Sequence, residues 1–359
     1  MTPLVSATVD SGALHHNLQV VRNYAPKSKV MAVIKANAYG HGLIAVARAL
    51  EASDAFAVAR VDEGLALRAA GISTPTVLLE GVFDREQLDA AAAAGFELVV
   101  HTPEQIELLR SAAAGARFKV WLKLDSGMNR LGFKGADFLA AHAALGRLPA
   151  VRSPVNLFTH FASADAPDLS TTADQLKLFD AATQSMAGER SLENSAAMLG
   201  FPQAQADWVR PGLLLYGVSP FAGTTGADYG LRPAMTLRSR VIAVKELAPG
   251  ERVGYGGLWS AQRPTRLAVA AVGYGDGYPR SLPSGTPVLI NGARAGLAGR
   301  VSMDMIGIDV TDLSPVPKLG DPVILWGDGL PVEEIAVWAQ TIPYELLCGI
   351  SQRVAVALC

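Results

Sequence analysis

The chain has 359 residues, half of them hydrophobic and 18% charged, with a formal net charge of −2. That is too long for one ordinary domain and suits a barrel with a smaller companion. With no Lys/Arg run, the near-neutral charge argues against a nucleic-acid or anionic-membrane surface. Cys348 and Cys359 are the two cysteines. They imply no disulfide framework and fit a reducing compartment.

The opening "MTPLVSATVDSGAL" has neither a basic n-region nor a continuous apolar run, and alanine stretches such as "DAAAAAG" are too short to cross a bilayer. A soluble, cytoplasmic globular protein is expected. Within this opening, "VSATVD" reads as a strand that could join a β-rich unit before the chain enters its first domain.

From residue 30 to about 218 one rhythm recurs: a short apolar run, a loop, then an Ala/Leu/Glu/Arg segment of helical period. The expected strands are "KVMAVIK", "AFAVA", "TVLLEG", "ELVVHT", "FKVWLKLD", "VNLFTHF", "SLENS" and "VRPGLLLYG". About eight such units in under 200 residues predict a compact (β/α)8 TIM-type barrel. An open doubly wound sheet is less favoured, because no GxGxxG follows the first strand. Beyond "FAGTTGADYG" the pattern changes to alternating runs broken by Gly, Pro and Asp, with no comparable helix before "PVEEIAVWAQ". The expected organisation is a barrel over 1–228 and a C-terminal mainly-β domain over 229–359.

Barrel chemistry collects where strands end. Reading those ends gives Lys35 and Tyr39, then Lys123, Asp125 and Arg130, then His160, Asn194 and Ser195, and Arg210 with Gly212. Each residue has an ordinary structural explanation as a salt-bridge partner or a core hydrogen-bonder. Together they make a cationic rim, which calls for an anionic occupant. Metal motifs such as HExxH and CxxC are missing, as is the GxxxxGK[ST] nucleotide loop. A lysine in a cationic mouth, with Tyr, Ser and backbone donors for a phosphate, suits pyridoxal phosphate. A desolvated lysine among other cations forms a Schiff base readily.

"AVIKANAYGHG", "KLDSGMNRLGF", "THFASAD", "VRPGLLLYGVSP", "VGYGGLW", "VGYGDGYPR" and "GRVSMDM", in that order, resemble the alanine racemases, fold-type III pyridoxal-phosphate enzymes. The resemblance runs across essentially the whole chain. It implies a homodimer with shared active sites that interconverts L- and D-alanine, either supplying D-alanine for peptidoglycan or recovering L-alanine by catabolism. Lys35 would carry the cofactor and act as base on one face of the substrate, and Tyr255 from the other subunit would be the opposite base. Tyr39, Ser195, Gly212, Leu213 and Tyr344 would hold the phosphate. Arg210 would face the pyridine nitrogen, Arg130 the phenolic oxygen and substrate, and His160 would sit beside Tyr255. Met303 would meet the substrate carboxylate, while Tyr274, Asp304 and Tyr344 would line the access path. Lys123 matches a position often carbamylated in the family, although an ordinary lysine–carboxylate contact is open there.

Two-sided proton transfer accords with this, since racemisation needs removal on one face and return on the other. A tyrosine hydroxyl, with a reference pKa of about 10, needs help to act as a base near neutrality. The His160/Arg210 pair could supply it. Three alternatives are weaker: a racemase of different amino-acid specificity, a decarboxylase of the same fold type, and a non-catalytic pyridoxal-phosphate carrier. The decarboxylase would want a carboxylate where Arg210 stands, and the carrier lacks a β domain.

Overall fold

The structure is a computed structural model describing residues 3–359. Its first strand, β1 (Ser6–Val9), lies outside the barrel. The helix Ser11–Tyr24 follows, capped by the Asp10 carboxylate accepting from Ala13 N at 3.0 Å. Eight parallel strands then close into a barrel: β2 (Lys29–Val33), β3 (Ala55–Val58), β4 (Thr76–Leu78), β5 (Glu97–Val100), β6 (Val120–Lys123), β7 (Asn156–Phe158), β8 (Arg190–Asn194) and β9 (Trp208–Arg210). β2 pairs with β9 to complete the ring. These strands are buried almost throughout, because helices cover the outside and side chains fill the inside.

The barrel floor is a packed ion–aromatic plug. Lys119 Nζ lies 5.3 Å from the Trp121 ring and 5.2 Å from the Trp208 ring, and it pairs with Glu189 at 3.1 Å. Trp121 donates to Glu97 at 2.8 Å. Polar chemistry is therefore sealed from below and open at the strand C-termini.

One expected strand is shorter than its sequence pattern suggests. "VRPGLLLYG" leaves the sheet at Arg210, and Leu213–Tyr216 form a 3-10 turn. Pro211 has no N–H for the ladder and Gly212 follows it, so apolar content alone cannot extend the strand. β8 also carries an irregularity: Ser191 pairs with Trp208 and Asn194 with Arg210, so β8 spends one residue more than β9.

Beyond the barrel come β10 (Met235–Leu247), the short hairpin β11 (Arg252–Val253) and β12 (Trp259–Ser260), β13 (Thr265–Ala270), β14 (Pro287–Ile290), β15 (Ala293–Leu297), β16 (Ile306–Asp309), β17 (Pro322–Trp326) and β18 (Ala355–Leu358). The larger sheet runs β13-β16-β15-β14-β17-β10-β1-β18, and β13 also pairs with β10, closing a six-strand circuit. β1 inserts between β10 and β18, antiparallel to the first and parallel to the second. Two helices, Val332–Ala339 and Pro343–Cys348, return toward the barrel.

The junction is tight at Gly217, whose φ is +79° and whose added Cβ would stand 1.7 Å from Arg232 O. Gly217→Ala should therefore destabilise the fold by about 2 kcal/mol or more. The readout is a lower urea midpoint at unchanged slope.

Candidate active site

Lys35 stands two residues beyond the end of β2 at the barrel mouth, half-buried. The next four residues, Ala36, Asn37, Ala38 and Tyr39, have φ of 53°, 54°, 53° and 51°. This is a left-handed turn without glycine, a conformation costing roughly 1–2 kcal/mol per residue. Its hydrogen bonds offset that: Ala38 N donates to Ile34 O at 2.9 Å, Gly40 N to Ala36 O at 3.1 Å, and Leu43 N to Asn37 Oδ1 at 2.8 Å. Buried His41 contributes Nδ1, 2.9 Å from Tyr39 O. Gly40 ends the turn at φ +80°, so close to Leu347 that a Cβ would lie 2.1 Å from its carbonyl oxygen.

The turn sends Tyr39 into the mouth, where its ring lies 4.9 Å from Tyr216 and 5.6 Å from Tyr344. Burial raises the Tyr39 hydroxyl above its ordinary value and pushes Tyr344 up to about 12, so both stay protonated as donors. Tyr39 Oη stands where a Cβ on Gly212 would be, 2.7 Å away, so glycine is the residue that lets the ring approach. Ser195 Oγ accepts from Gly212 N at 2.9 Å, and Asn194 caps the helix Ser195–Gly200 through Ala197 N. Among the described residues, the Leu213 amide and the hydroxyls of Tyr39 and Tyr344 donate to no protein acceptor. Tyr39, Ser195, Leu213 and Tyr344 thus form a cradle of hydrogen-bond donors, with the Gly212 amide turned to Ser195.

Arg210, 4% exposed at the end of β9, lies two residues before Gly212. It donates to Ser191 Oγ at 2.7 Å, Thr159 O at 2.7 Å and Leu192 O at 3.0 Å, and its guanidinium lies 3.9 Å over the Phe158 ring. The extra residue in β8 leaves the Leu192 carbonyl available for this. Burial lowers Arg210, but a guanidinium with this many acceptors keeps its proton. Arg210 Nη2 also lies 3.2 Å from His160 Nδ1. Burial, then the charges of Arg210, Lys123, Arg130 and Lys35, hold His160 well below its ordinary value. It is a neutral imidazole accepting at Nδ1, so its proton sits on Nε2.

Lys123, 6% exposed at the end of β6, has its amine lowered to about 8 by burial and by Arg210 and Arg130. No carboxylate lies within 4.0 Å of it among the described residues. Asp125 instead accepts from Gly127 N at 3.1 Å and Asn129 N at 2.9 Å, and approaches Lys134 at 3.6 Å. The lysine–carboxylate contact left open by the sequence is therefore not made. Arg130 is exposed on the same loop, close enough for its charge to bear on both Lys123 and His160.

The remaining sequence candidates gather elsewhere. Tyr255, 70% exposed, lies between β11 and β12, and Gly254 beside it approaches Arg300. Tyr274 N donates to Ser302 O at 3.0 Å, and Asp304 accepts from Arg353 at 2.7 Å. Tyr255, Tyr274, Met303 and Asp304 thus share one face of the β unit, with Leu258, Met303 and Met305 exposed on it. No hydrogen bond, ion pair or aromatic contact among the described residues joins this group to the Lys35 cluster.

Family models place the chain. "Alanine racemase, N-terminal domain" matches residues 9–220 and "Alanine racemase, C-terminal domain" matches residues 234–358. The chain belongs to the alanine racemase family. It is 50% identical to the biosynthetic alanine racemase of Escherichia coli K12 over 351 residues, 98% of each chain. It is 49% identical to the alanine racemase of Shewanella woodyi over all of both chains. The crystal structure of the biosynthetic alanine racemase from Pseudomonas aeruginosa superposes with a TM-score of 0.96 at 45% identity, covering both chains fully. The (β/α)8 barrel with a mainly-β C-terminal domain is thus the architecture of this family.

Two polar groups of this alanine racemase family site escape the sequence reading. Glu193, fully buried inside "SLENS", has neither carboxyl oxygen hydrogen-bonded, and burial pushes it up to about 8 against the opposing charge of Arg210. The second is Glu63, which reaches the Lys35 turn from the helix Val61–Ala69. Glu193 carried a visible signal, a lone acid inside a barrel strand. Glu63 carried none.

Lys123 generates a pH prediction. Folded, it loses its proton near pH 8, whereas an ordinary lysine holds it to 10.5. The unfolded chain binds more protons in that window, so this residue makes stability rise with pH from about 8 toward 10.5. Lys123→Met should flatten the rise in urea midpoints measured in carbon-dioxide-free buffer, and should be the more stable protein below pH 8.

Proposed function

We propose that the protein is a pyridoxal-phosphate-dependent racemase that interconverts L- and D-alanine, acting as a cytoplasmic homodimer and supplying D-alanine for peptidoglycan. Its working units are a barrel over 1–228 and a β unit over 229–359 that also takes Ser6–Val9. No helix is long and apolar enough to cross a membrane among the described residues. The carrying observation is the mouth itself: unpartnered donors at Tyr39, Leu213 and Tyr344 share it with the cations Lys35, Lys123, Arg130 and Arg210. This donor set fits a phosphate at one end and a lysine-bound aldehyde at the other.

When bound, pyridoxal phosphate would supply an electron sink for the substrate's Cα–H bond. Tyr39, Ser195, Gly212, Leu213 and Tyr344 would hold its phosphate. Arg210, held by four acceptors, would face the pyridine nitrogen and keep its own proton there. Lys35 serves as base on one face of the substrate, and Tyr255 of the partner subunit on the other. His160 supports the second base: with Nδ1 accepting from Arg210, Nε2–H is free to donate to a phenolate. Arg130 and the Met303 amide would hold the substrate carboxylate, and Tyr274, Asp304 and Tyr344 would line the way in.

A shared site explains why Tyr255, Leu258, Met303 and Met305 are exposed together on one face. Lys123 is proposed as the site of carbamylation. Its amine, lowered to about 8, can bond to carbon dioxide and release a proton, and the resulting anion would face Arg130.

Borohydride reduction of purified protein supplied with pyridoxal phosphate should leave a pyridoxyl group on Lys35, found by peptide mapping, and Lys35→Ala should carry none. Absence of the group from the wild-type chain would end the cofactor reading. Tyr255→Phe should keep the chromophore and lose roughly 10²–10⁴-fold in turnover, most severely for proton abstraction from L-alanine. Mixing Lys35→Ala and Tyr255→Phe subunits should restore part of the activity. No recovery in verified mixed dimers would exclude a site shared between subunits.

A further inference from the structure

The turn that follows Lys35 is held at its first residue by an acid from the next barrel unit. Glu63 sits in the first turn of the helix Val61–Ala69, and its carboxylate accepts three backbone amides. Oε1 takes Ala36 N at 2.6 Å, while Oε2 takes Ala59 N at 2.8 Å and Arg60 N at 3.2 Å. Ala36 follows Lys35 directly, and Ala59 is the first residue beyond β3. β2 and β3 are neighbours in register, Val33 opposite Ala57. One carboxylate, 27 residues along the chain from Ala36, therefore spans the mouth ends of two adjacent strands.

The other bonds of the left-handed turn act further on, at Asn37, Ala38, Tyr39 and Gly40. Of these, Ala38 N ties the turn back to Ile34 O, but none holds the peptide plane between Lys35 and Ala36. The Ala36 amide does that, because it belongs to the peptide plane joining Lys35 to the turn. A charged acceptor gives the stronger and shorter kind of hydrogen bond. An ordinary helix cap would need the Oε2 contacts alone. The 2.6 Å bond from Oε1 to Ala36 is additional to capping.

We propose that Glu63 is a positioning residue for Lys35: by clamping the Ala36 amide to the end of β3, it fixes the spacing between the Lys35 amine and the Tyr39 hydroxyl. This rests on the reading of Lys35 as the cofactor's anchor. Bond formation at an aldehyde requires the amine within attack distance of a group already held at its other end, and a misplacement of about 1 Å can cost on the order of 10²-fold. Glu63 touches neither reacting atom and acts through the backbone.

The test compares wild type, Glu63→Ala, Glu63→Gln and the double variant Glu63→Ala/Ala36→Gly, all supplied with pyridoxal phosphate. Three quantities are read: the urea midpoint, the rate at which borohydride-trapped pyridoxyl-Lys35 accumulates after cofactor is added to stripped protein, and kcat and KM for L-alanine. Glu63→Ala should slow attachment and lower kcat by about 10- to 100-fold with KM changed by less than about threefold. Ala36→Gly relieves the left-handed strain, so the double variant should regain stability while attachment stays slow. Glu63→Gln keeps the shape, but its NH2 group must face an amide donor, so it should lose about threefold or more in attachment rate.

If attachment and kcat recover together with stability in the double variant, or if Glu63→Gln behaves as wild type, Glu63 is a helix cap and the positioning role is overturned. A wild-type chain unlabelled at Lys35 would overturn both the cofactor reading and this role. A labelled wild type with an unimpaired Glu63→Ala would overturn this role alone.

Discussion

Positive charge that the protein does not itself neutralise governs this molecule. Lys35, Lys123, Arg130 and Arg210 meet at the barrel mouth, and the nearby acids are engaged or neutral: Asp125 by its own loop amides, Glu193 by burial. Gathering like charges in a poorly solvated space is unfavourable unless an anion joins them. The surrounding structure is organised to sustain that condition. An aromatic floor excludes water from below, backbone carbonyls satisfy Arg210, and a neutral histidine takes what an ionised one would repel.

The same constraint divides the labour between the two units. The barrel supplies a cationic, donor-rich bowl, with polar side chains at or just beyond several strand ends above apolar interiors. The β unit supplies an exposed face bearing Tyr255, Tyr274, Met303 and Asp304, held by glycine-dependent close approaches such as Gly273 against the Ser302 and Met303 carbonyls. On the proposed reading the two halves meet only across subunits, so assembly and chemistry would be linked.

Much of this was legible in the residues. Parallel barrel strands declare themselves as short apolar runs between helical segments, and the charged residues at or just beyond several of their ends stand out. Lys35, Lys123, His160 and Arg210 were visible for that reason. "VRPGLLLYG" misled, because an apolar run says nothing of whether its amides can join a ladder once Pro and Gly intervene. The left-handed turn was hidden, since "ANAY" holds no glycine to announce positive φ. Its support comes from Glu63, a contact set by barrel closure rather than by local spacing. The protonation of Glu193 and the tautomer of His160 likewise depend on neighbours brought in from other strands.

The strand order of the β unit bears on how the chain comes to be folded. β1 lies between β10 and β18, and the Cys359 amide donates to Val9 O while Ser11 N donates to Cys359 O. During synthesis the barrel strands, residues 29 to 210, can find one another early. The first strand must wait, unpaired, until β10 has left the ribosome, and it gains its second neighbour only when β18 follows. Closing so long a loop is slow but only weakly length-dependent in free energy. β1 is four residues long, with serine and threonine alternating with its two buried apolar positions, so the waiting edge is short and poorly suited to pairing with another nascent chain.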